Sequence, residues 1–182
     1  KPIPEAYAHM IPISTYGAQK LASESFISAY SHMFDIVGTV FRFANVVGPN
    51  MTHGVSYDFV KKLSEDPLNL EILGDGNQSK PYIHVDDVIE AMLYVINHQV
   101  SKYEIFNVGT EDYLLVKEIA DIVVKEMGIN NVNYRFTGGK RGWKADVPVY
   151  RLDISKIKDL GWSSKMKSRD AVHSAVRSMI EK

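Results

Sequence analysis

Tyr16 and Lys20 stand four residues apart in the run STYGAQKLASE of this 182-residue chain. On a helix of 3.6 residues per turn, positions i and i+4 share a face, so a phenol and an ammonium at this spacing can meet. A free tyrosine titrates at about 10, too high for a base at neutral pH. A cation held beside the oxygen favours the phenolate and lowers that value. The pair is therefore suited to taking a proton from an alcohol. Taken alone it is equally a surface pair worth about 0.2–0.5 kcal/mol. The elements around it must decide.

Composition narrows the choice. With 45% hydrophobic and 24% charged residues, the chain reads as one globular domain or slightly more. A formal net charge of −1 gives no electrostatic case for nucleic acid or for an anionic membrane. There is no cysteine, which excludes disulfides, thiolate metal sites and cysteine nucleophiles. No apolar run reaches the ~18 residues of a membrane span and no signal peptide is visible, so the cytoplasm is the expected compartment.

Residues 1–13 carry Pro2, Pro4 and Pro12 and read as an extended loop. Ser14 or Thr15 caps an expected helix to about Phe34, with Leu21, Ser25, Ile27, Ala29 and Tyr30 on its apolar face. The β-branched run DIVGTVFRFAN, residues 35–45, predicts a buried parallel strand ended by Gly48-Pro49-Asn50. A helix is expected over 56–64, a strand over 70–73, and a turn at Gly74-Asp75-Gly76-Asn77. Residues 82–85 read as a strand, and Asp86 or Asp87 as the cap of a helix to His98. Then come a strand at 104–108, a helix at 116–127 stopped by Gly128, a strand at 131–136 and a loop at 137–148. Two helices, 154–160 and 168–181, close the chain. Alternating strands and helices indicate an α/β fold. The G-x-G-x-x-G turn of a dinucleotide-binding domain is missing: Gly74-Asp75-Gly76 lacks both the third glycine and a following helix.

Six motifs in order, beginning with STYGAQKLASE and continuing through FRFANVVGP, LEILGDGNQSKPYIHVDDV, FNVG and RGWKADVPVYRLDISKIKDLGW after an opening PIPE, resemble the extended short-chain dehydrogenase/reductases. The branch is that of nucleotide-sugar epimerases typified by UDP-glucose 4-epimerase, and the resemblance covers essentially the whole chain. It implies the C-terminal part of a Rossmann-like doubly wound parallel sheet with a small mixed α/β substrate-binding domain. On this reading residues 1–52 belong to the NAD-binding domain and 53–182 mainly to the substrate-binding domain, with 82–110 returning to the Rossmann sheet. The N-terminal dinucleotide-binding half is expected from elsewhere, in cis or in trans.

The resemblance also implies roles. Tyr16 is the acid/base that takes the proton of a sugar 4-hydroxyl while NAD accepts the hydride, and Lys20 holds the nicotinamide ribose. The triad Ser or Thr lies before this chain; Ser14 and Thr15 are too close to Tyr16 to replace it. The backbone near Phe43 flanks the nicotinamide, and Asn45, at a strand end where ligands of open sheets gather, binds the sugar nucleotide. Glu71 and Leu73 meet the base through their backbone. Lys80 stands where an arginine commonly grips the diphosphate, and loses the bidentate fork. Tyr82 belongs to the same subsite. Arg141, Asp146 and Tyr150 bracket a loop that closes over the nucleotide, with Ala145 where glycine is common and Trp143 as a hydrophobic anchor. Arg42 is expected to serve packing or a structural ion pair, and His84 reads as a structural histidine more than as a catalytic base. No carboxylate or histidine spacing suits a metal.

The implied activity is an NAD-dependent 4-epimerase acting on a UDP-sugar, as a homodimer. A 4,6-dehydratase or keto-sugar reductase of the same family stays open, as does a non-catalytic sugar-nucleotide binding module.

Overall fold

A computed structural model describes residues 1–7, 10–98, 101–144 and 146–181. The fold is α/β, with parallel pairing in three of its four described strand pairs.

Helix α1, Thr15–Phe34, starts where Ser14 Oγ accepts the Gly17 amide at 3.0 Å, a side-chain cap on one of the helix's orphan donors. It ends at Asp35, whose left-handed backbone (φ 58°) keeps residues 35–37 out of the strand expected there. Strand β1 spans Gly38–Phe43 and β2 spans Asn45–Val47. The single strand read from the sequence is thus two, because the chain changes partners between them. β1 runs parallel to β6, Tyr103–Val108, whereas β2 runs parallel to β5, Tyr82–His84. The change is made at one residue: the Ala44 amide still donates to Val108 O, and the Asn45 amide donates to Pro81 O. Asn45 therefore sits where β5 and β6 diverge.

Helix α2, Val55–Glu65, leads to β3, Asn69–Ile72, which pairs in parallel with β8, Asn133–Phe136. Two very short strands, β4 (Ser79–Lys80) and β7 (Leu114–Leu115), form an antiparallel pair that no sequence period revealed. Helix α3, Val85–His98, begins directly at the end of β5. Asp86 and Asp87 lie inside its first turn and do not cap it. The Asp86 amide is taken by His84 Nδ1 (3.3 Å), while the buried Asp87 carboxylate accepts the Lys165 and Met166 amides. Helices α4 (Val116–Glu126), α5 (Ser155–Asp159) and α6 (Ser168–Ile180) complete the chain.

Two buried clusters hold these elements. One gathers Phe59 and Leu63 of α2, Leu70 and Ile72 of β3, Ile119, Ile122 and Val123 of α4, and Val172 and Val176 of α6. The other joins Ile83, Val88, Ala91, Val95, Phe106, Val108, Ile157 and Trp162. Helix α1 belongs to neither. Of its twenty residues only Ser31 is buried; of the expected apolar face Leu21 is half-buried and Ser25, Ile27, Ala29 and Tyr30 are exposed. It leans on β1 by close approach at Gly38, where a Cβ would come within 2.2 Å of Ser31 Oγ. The Arg42–Glu24 pair (Nε–Oε1 2.9 Å, Nη2–Oε2 2.7 Å) binds it to β1, as a bidentate fork does. Arg42 Nη1 also reaches Glu5 O, and Glu5 in turn accepts the Asn107 amide. These bonds make Arg42 the structural ion pair the sequence suggested.

Candidate active site

The carboxyl ends of β1 and β2, the first turns of α1 and α2, β4 and the 141–146 loop enclose a cleft of about 1150 Å³. Ligand sites of open α/β sheets lie outside the carboxyl ends of their strands. Tyr16, Lys20, Phe43, Asn45, Leu73, Lys80, Tyr82 and Asp146 all line it.

Tyr16 is 69% exposed on the first turn of α1. Lys20 Nζ stands 5.4 Å from the centre of its ring, within cation–π range. The helical spacing has brought the two together as expected. Ser14 and Thr15 are accounted for by the helix start, Ser14 as its cap.

Phe43 ends β1 with its ring parallel to Phe41 at 6.0 Å, and Phe41 packs in turn on Phe106. Next to it the Asn45 side chain lies close to the Tyr82 hydroxyl, and the Asn45 backbone lies close to the Tyr150 hydroxyl. Burial raises both phenols: Tyr82 goes well above the ordinary tyrosine range, helped by Tyr150 and Asp146, and Tyr150 reaches about 12. Both are neutral hydrogen-bonding groups at physiological pH. Tyr150 lies outside the cleft lining.

Lys80 does not project as a free cation. Its Nζ lies 2.6 Å from Asp146 Oδ1, and the other carboxylate oxygen accepts the Gly142 amide at 3.0 Å. Asp146 is only 4% exposed, so this ion pair fastens the 141–146 loop to β4. Arg141 lies outside the cleft lining, exposed, with Nη1 on Lys144 O. Glu71 is exposed too, and Lys62 Nζ occupies both its carbonyl (3.0 Å) and its carboxylate (3.2 Å). Leu73 is 46% exposed, just past the end of β3, and its carbonyl accepts Gln78 Nε2 at 3.0 Å. Ala145 falls outside the described residues. His84 is buried, with Nδ1 on the Asp86 amide and Nε2 3.4 Å from Ser174 Oγ, a structural histidine.

Three cleft residues escaped the sequence reading. Gln78 is 3% exposed, and its Oε1 has no partner among the described residues. Only a glycine fits beside it, because a Cβ on Gly74 would lie 1.9 Å from Gln78 Nε2 and Gly74 has φ +81°. Lys62, on the helix expected over 56–64, lines the cleft as well. Trp143 is no anchor: its ring is 63% exposed and faces the same cleft. A burial pattern would have shown none of these, since each depends on which strand end the loops fold over. Among the described residues no three acids or histidines come together to hold a metal ion. No described helix is long and apolar enough to cross a membrane.

Residues 2–109 match the NAD dependent epimerase/dehydratase family. A putative UDP-glucose 4-epimerase of Methanocaldococcus jannaschii is 32% identical over 174 residues, which is 92% of this chain and 54% of that protein. A dTDP-L-rhamnose 4-epimerase of Burkholderia thailandensis is 27% identical, over 83% of this chain and 42% of its own length. Among solved structures, a UDP-galactose 4-epimerase superposes with a TM-score of 0.87 at 34% identity, over 99% of this chain and 57% of the other. The UDP-glucose 4-epimerase of Thermotoga maritima, solved with UDP-glucose, gives 0.85 at 27% identity over the same shares. The chain spans about half the length of the curated relatives it matches.

Proposed function

The chain belongs to the NAD dependent epimerase/dehydratase family, and from that premise we propose that it is the acid/base and substrate-binding part of a nucleotide-sugar 4-epimerase. The observation that carries the reading is the convergence of Tyr16, Lys20, Phe43, Asn45, Lys80, Tyr82 and Asp146 on one cleft.

The Tyr16 phenol is exposed to a ligand in that cleft and serves as the base for a sugar 4-hydroxyl, returning the proton when the product forms. Lys20 sets a positive charge beside the ring, which opposes the negative charge developing on the phenol oxygen. Asn45 and Tyr82, neighbours across the β2–β5 pair, offer polar groups to the sugar nucleotide. Lys80 is the cation for the diphosphate, and Asp146 the acceptor for ribose hydroxyls. Leu73 lines the base end, the backbone at Glu71 is the neighbouring base contact once Lys62 gives way, and Arg141 and Tyr150 belong to the loop that closes over the nucleotide.

NAD, when bound, supplies the hydride acceptor and donor for the sugar carbon. The residues present fit its nicotinamide end: Tyr16, Lys20 and the Phe43 strand end share the cleft. They do not offer a pyrophosphate cradle, because the Gly74-Asp75-Gly76 turn runs into β4 and not into a helix. A dinucleotide-binding half, in cis or in trans, is therefore part of the proposal. So are a division near residue 52, a cytoplasmic location and a homodimer formed through α1, whose Phe26, Tyr30 and Met33 are exposed.

The test uses UDP-glucose with trace NAD+, given to the chain alone and to the chain joined to a dinucleotide-binding half. UDP-galactose is expected only from the joined protein, and Tyr16→Phe should lower its rate about 10²–10⁴-fold, the usual worth of a positioned acid/base. A 4-keto-6-deoxy product would replace the epimerase reading by the dehydratase. Nucleotide binding without conversion would leave a binding module, and normal turnover by Tyr16→Phe would remove the tyrosine from the chemistry.

A further inference from the structure

Resting on the reading of Tyr16 and Lys20 as the acid/base pair, we propose that Arg42 is a positioning residue for it: the guanidinium neutralises Glu24 and so leaves the Lys20 ammonium to Tyr16. Lys20 stands four residues after Tyr16 and four before Glu24, so each lies about one helical turn from it. Of the two, the carboxylate is the natural partner, because opposite charges at this spacing attract on a helix surface. In the structure the ammonium stands 5.4 Å from the Tyr16 ring centre instead, and Lys20 makes no ion pair among the described residues.

Arg42 is what occupies Glu24. Its fork takes both carboxylate oxygens, at 2.9 and 2.7 Å, and each side chain is only 17% exposed. Charge is balanced within that pair, so little of the carboxylate's field reaches Lys20 one turn away. The guanidinium is itself fixed, with Nη1 on Glu5 O at 3.0 Å. From β6 the titratable neighbour is Tyr103, whose hydroxyl meets Glu24 O at 3.4 Å. Tyr16, Lys20, Glu24 and Arg42 all line the cleft. Without Arg42, a poorly solvated carboxylate would be left one turn from an exposed ammonium and would draw it away from Tyr16. The fork can be broken from either end. A merely structural tie suffers alike from both, whereas a charge balance suffers only when the carboxylate is left behind.

Tyrosine rings of the full chain are isotope-labelled, and the Tyr16 NMR signal is the one that Tyr16→Phe removes. Arg42→Met is expected to move that signal, and Arg42→Met with Glu24→Gln to return it to the parent position. Glu24→Gln alone should leave it in place, as should Arg42→Lys, which keeps the charge without the fork. Turnover by the joined protein should follow the same pattern. Arg42→Met is expected about 5- to 50-fold lower, the order of effect of an unbalanced charge a turn or two away near a protein surface. The other three variants should stay within about threefold of the parent. Equal effects in Arg42→Met and Glu24→Gln, with no return in the double variant, overturn the proposal. So does an Arg42→Lys that moves the signal and lowers the rate, a comparison that stands even if Arg42→Met does not fold. If the pattern holds in the signal while no joined protein converts a nucleotide sugar, the epimerase reading falls and leaves Arg42 no reaction to position.

Discussion

At the scale of single residues, two buried polar groups set the shape of the cleft. Asp146 has one cationic partner, Lys80, and one amide donor, Gly142. Removing one partner of a buried pair costs about 3–5 kcal/mol, and with Lys80 only a fifth exposed the low end applies to Lys80→Ala. Lys80→Arg retains the charge and should unfold close to the parent in urea. If Lys80→Ala unfolds at the parent midpoint, the pair does not hold the loop. Gln78 makes the second case, since its amide nitrogen serves Leu73 O while its oxygen has no donor among the described residues. Gln78→Met gives up one hydrogen bond and one stranded acceptor together, a loss of about 1 kcal/mol or less. Gln78→Glu sets a carboxylate against the Leu73 carbonyl and is expected to be clearly the worse of the two. Equal midpoints for these variants would mean the site is wetter than its burial shows. Neither role was legible in the sequence. Tyr16 and Lys20 were, because helical spacing alone brings them together, whereas Lys80 and Asp146 are 66 residues apart and meet only through the fold.

At the scale of elements, the cap of α1 positions the chemistry. Ser14 Oγ holds the Gly17 amide one residue beyond Tyr16, so Ser14→Ala should cost about 0.5–2 kcal/mol and fray the turn that carries the phenol. In the joined protein this would appear as a lower rate that Ser14→Asp restores; a rate loss Asp does not restore would separate the cap from the chemistry. Helices α4 and α6 are tied by Glu126, which accepts from Arg177 at 2.7 and 3.0 Å and sits 2.6 Å from His173 Nδ1. The Arg177 hydrogen bonds foremost, then those of His173, pull the Glu126 carboxyl down to about 2. A depressed carboxyl stabilises the fold above its unfolded value of about 4.3 and loses that contribution as pH falls toward 2. Glu126→Gln should therefore flatten the decline of the unfolding midpoint between about pH 4.5 and 2. An unaltered acid limb would show that solvent already screens the tie. The helices themselves could be read from period and caps, each to within a residue or two. The division of β1 from β2 could not, because Ala44 carries no mark in its side chain and the break comes from the partner strands.

At the scale of the whole molecule, the described chain leaves apolar surface uncovered on two of its helices. Phe26, Tyr30 and Met33 follow one another at helical spacing along α1, and Ile89, Leu93 and Ile96 do so along α3, all exposed. Between them β1 pairs with β6 alone among the described strands, so Val40–Phe43 present a sheet edge to the cleft. Contiguous apolar patches beside an open edge are the usual ground for association. The chain by itself is accordingly expected to sediment as a concentration-dependent mixture of species across the micromolar range. The two helical faces can be told apart by charge. Phe26→Glu with Met33→Glu blocks one, Leu93→Glu with Ile96→Glu blocks the other, and exposed positions tolerate such changes with stability altered by about 0.5 kcal/mol or less. A face that serves only to seat a dinucleotide-binding half should stop associating once that half is joined, whereas a homodimer face should keep its dimer in the joined protein and lose it only with its own pair of glutamates. Through α1 the second behaviour is expected, and through α3 the first. A monomeric chain at every concentration would mean that neither face is sticky enough to matter, and a joined dimer indifferent to the α1 pair would move the subunit contact away from the helix that carries Tyr16.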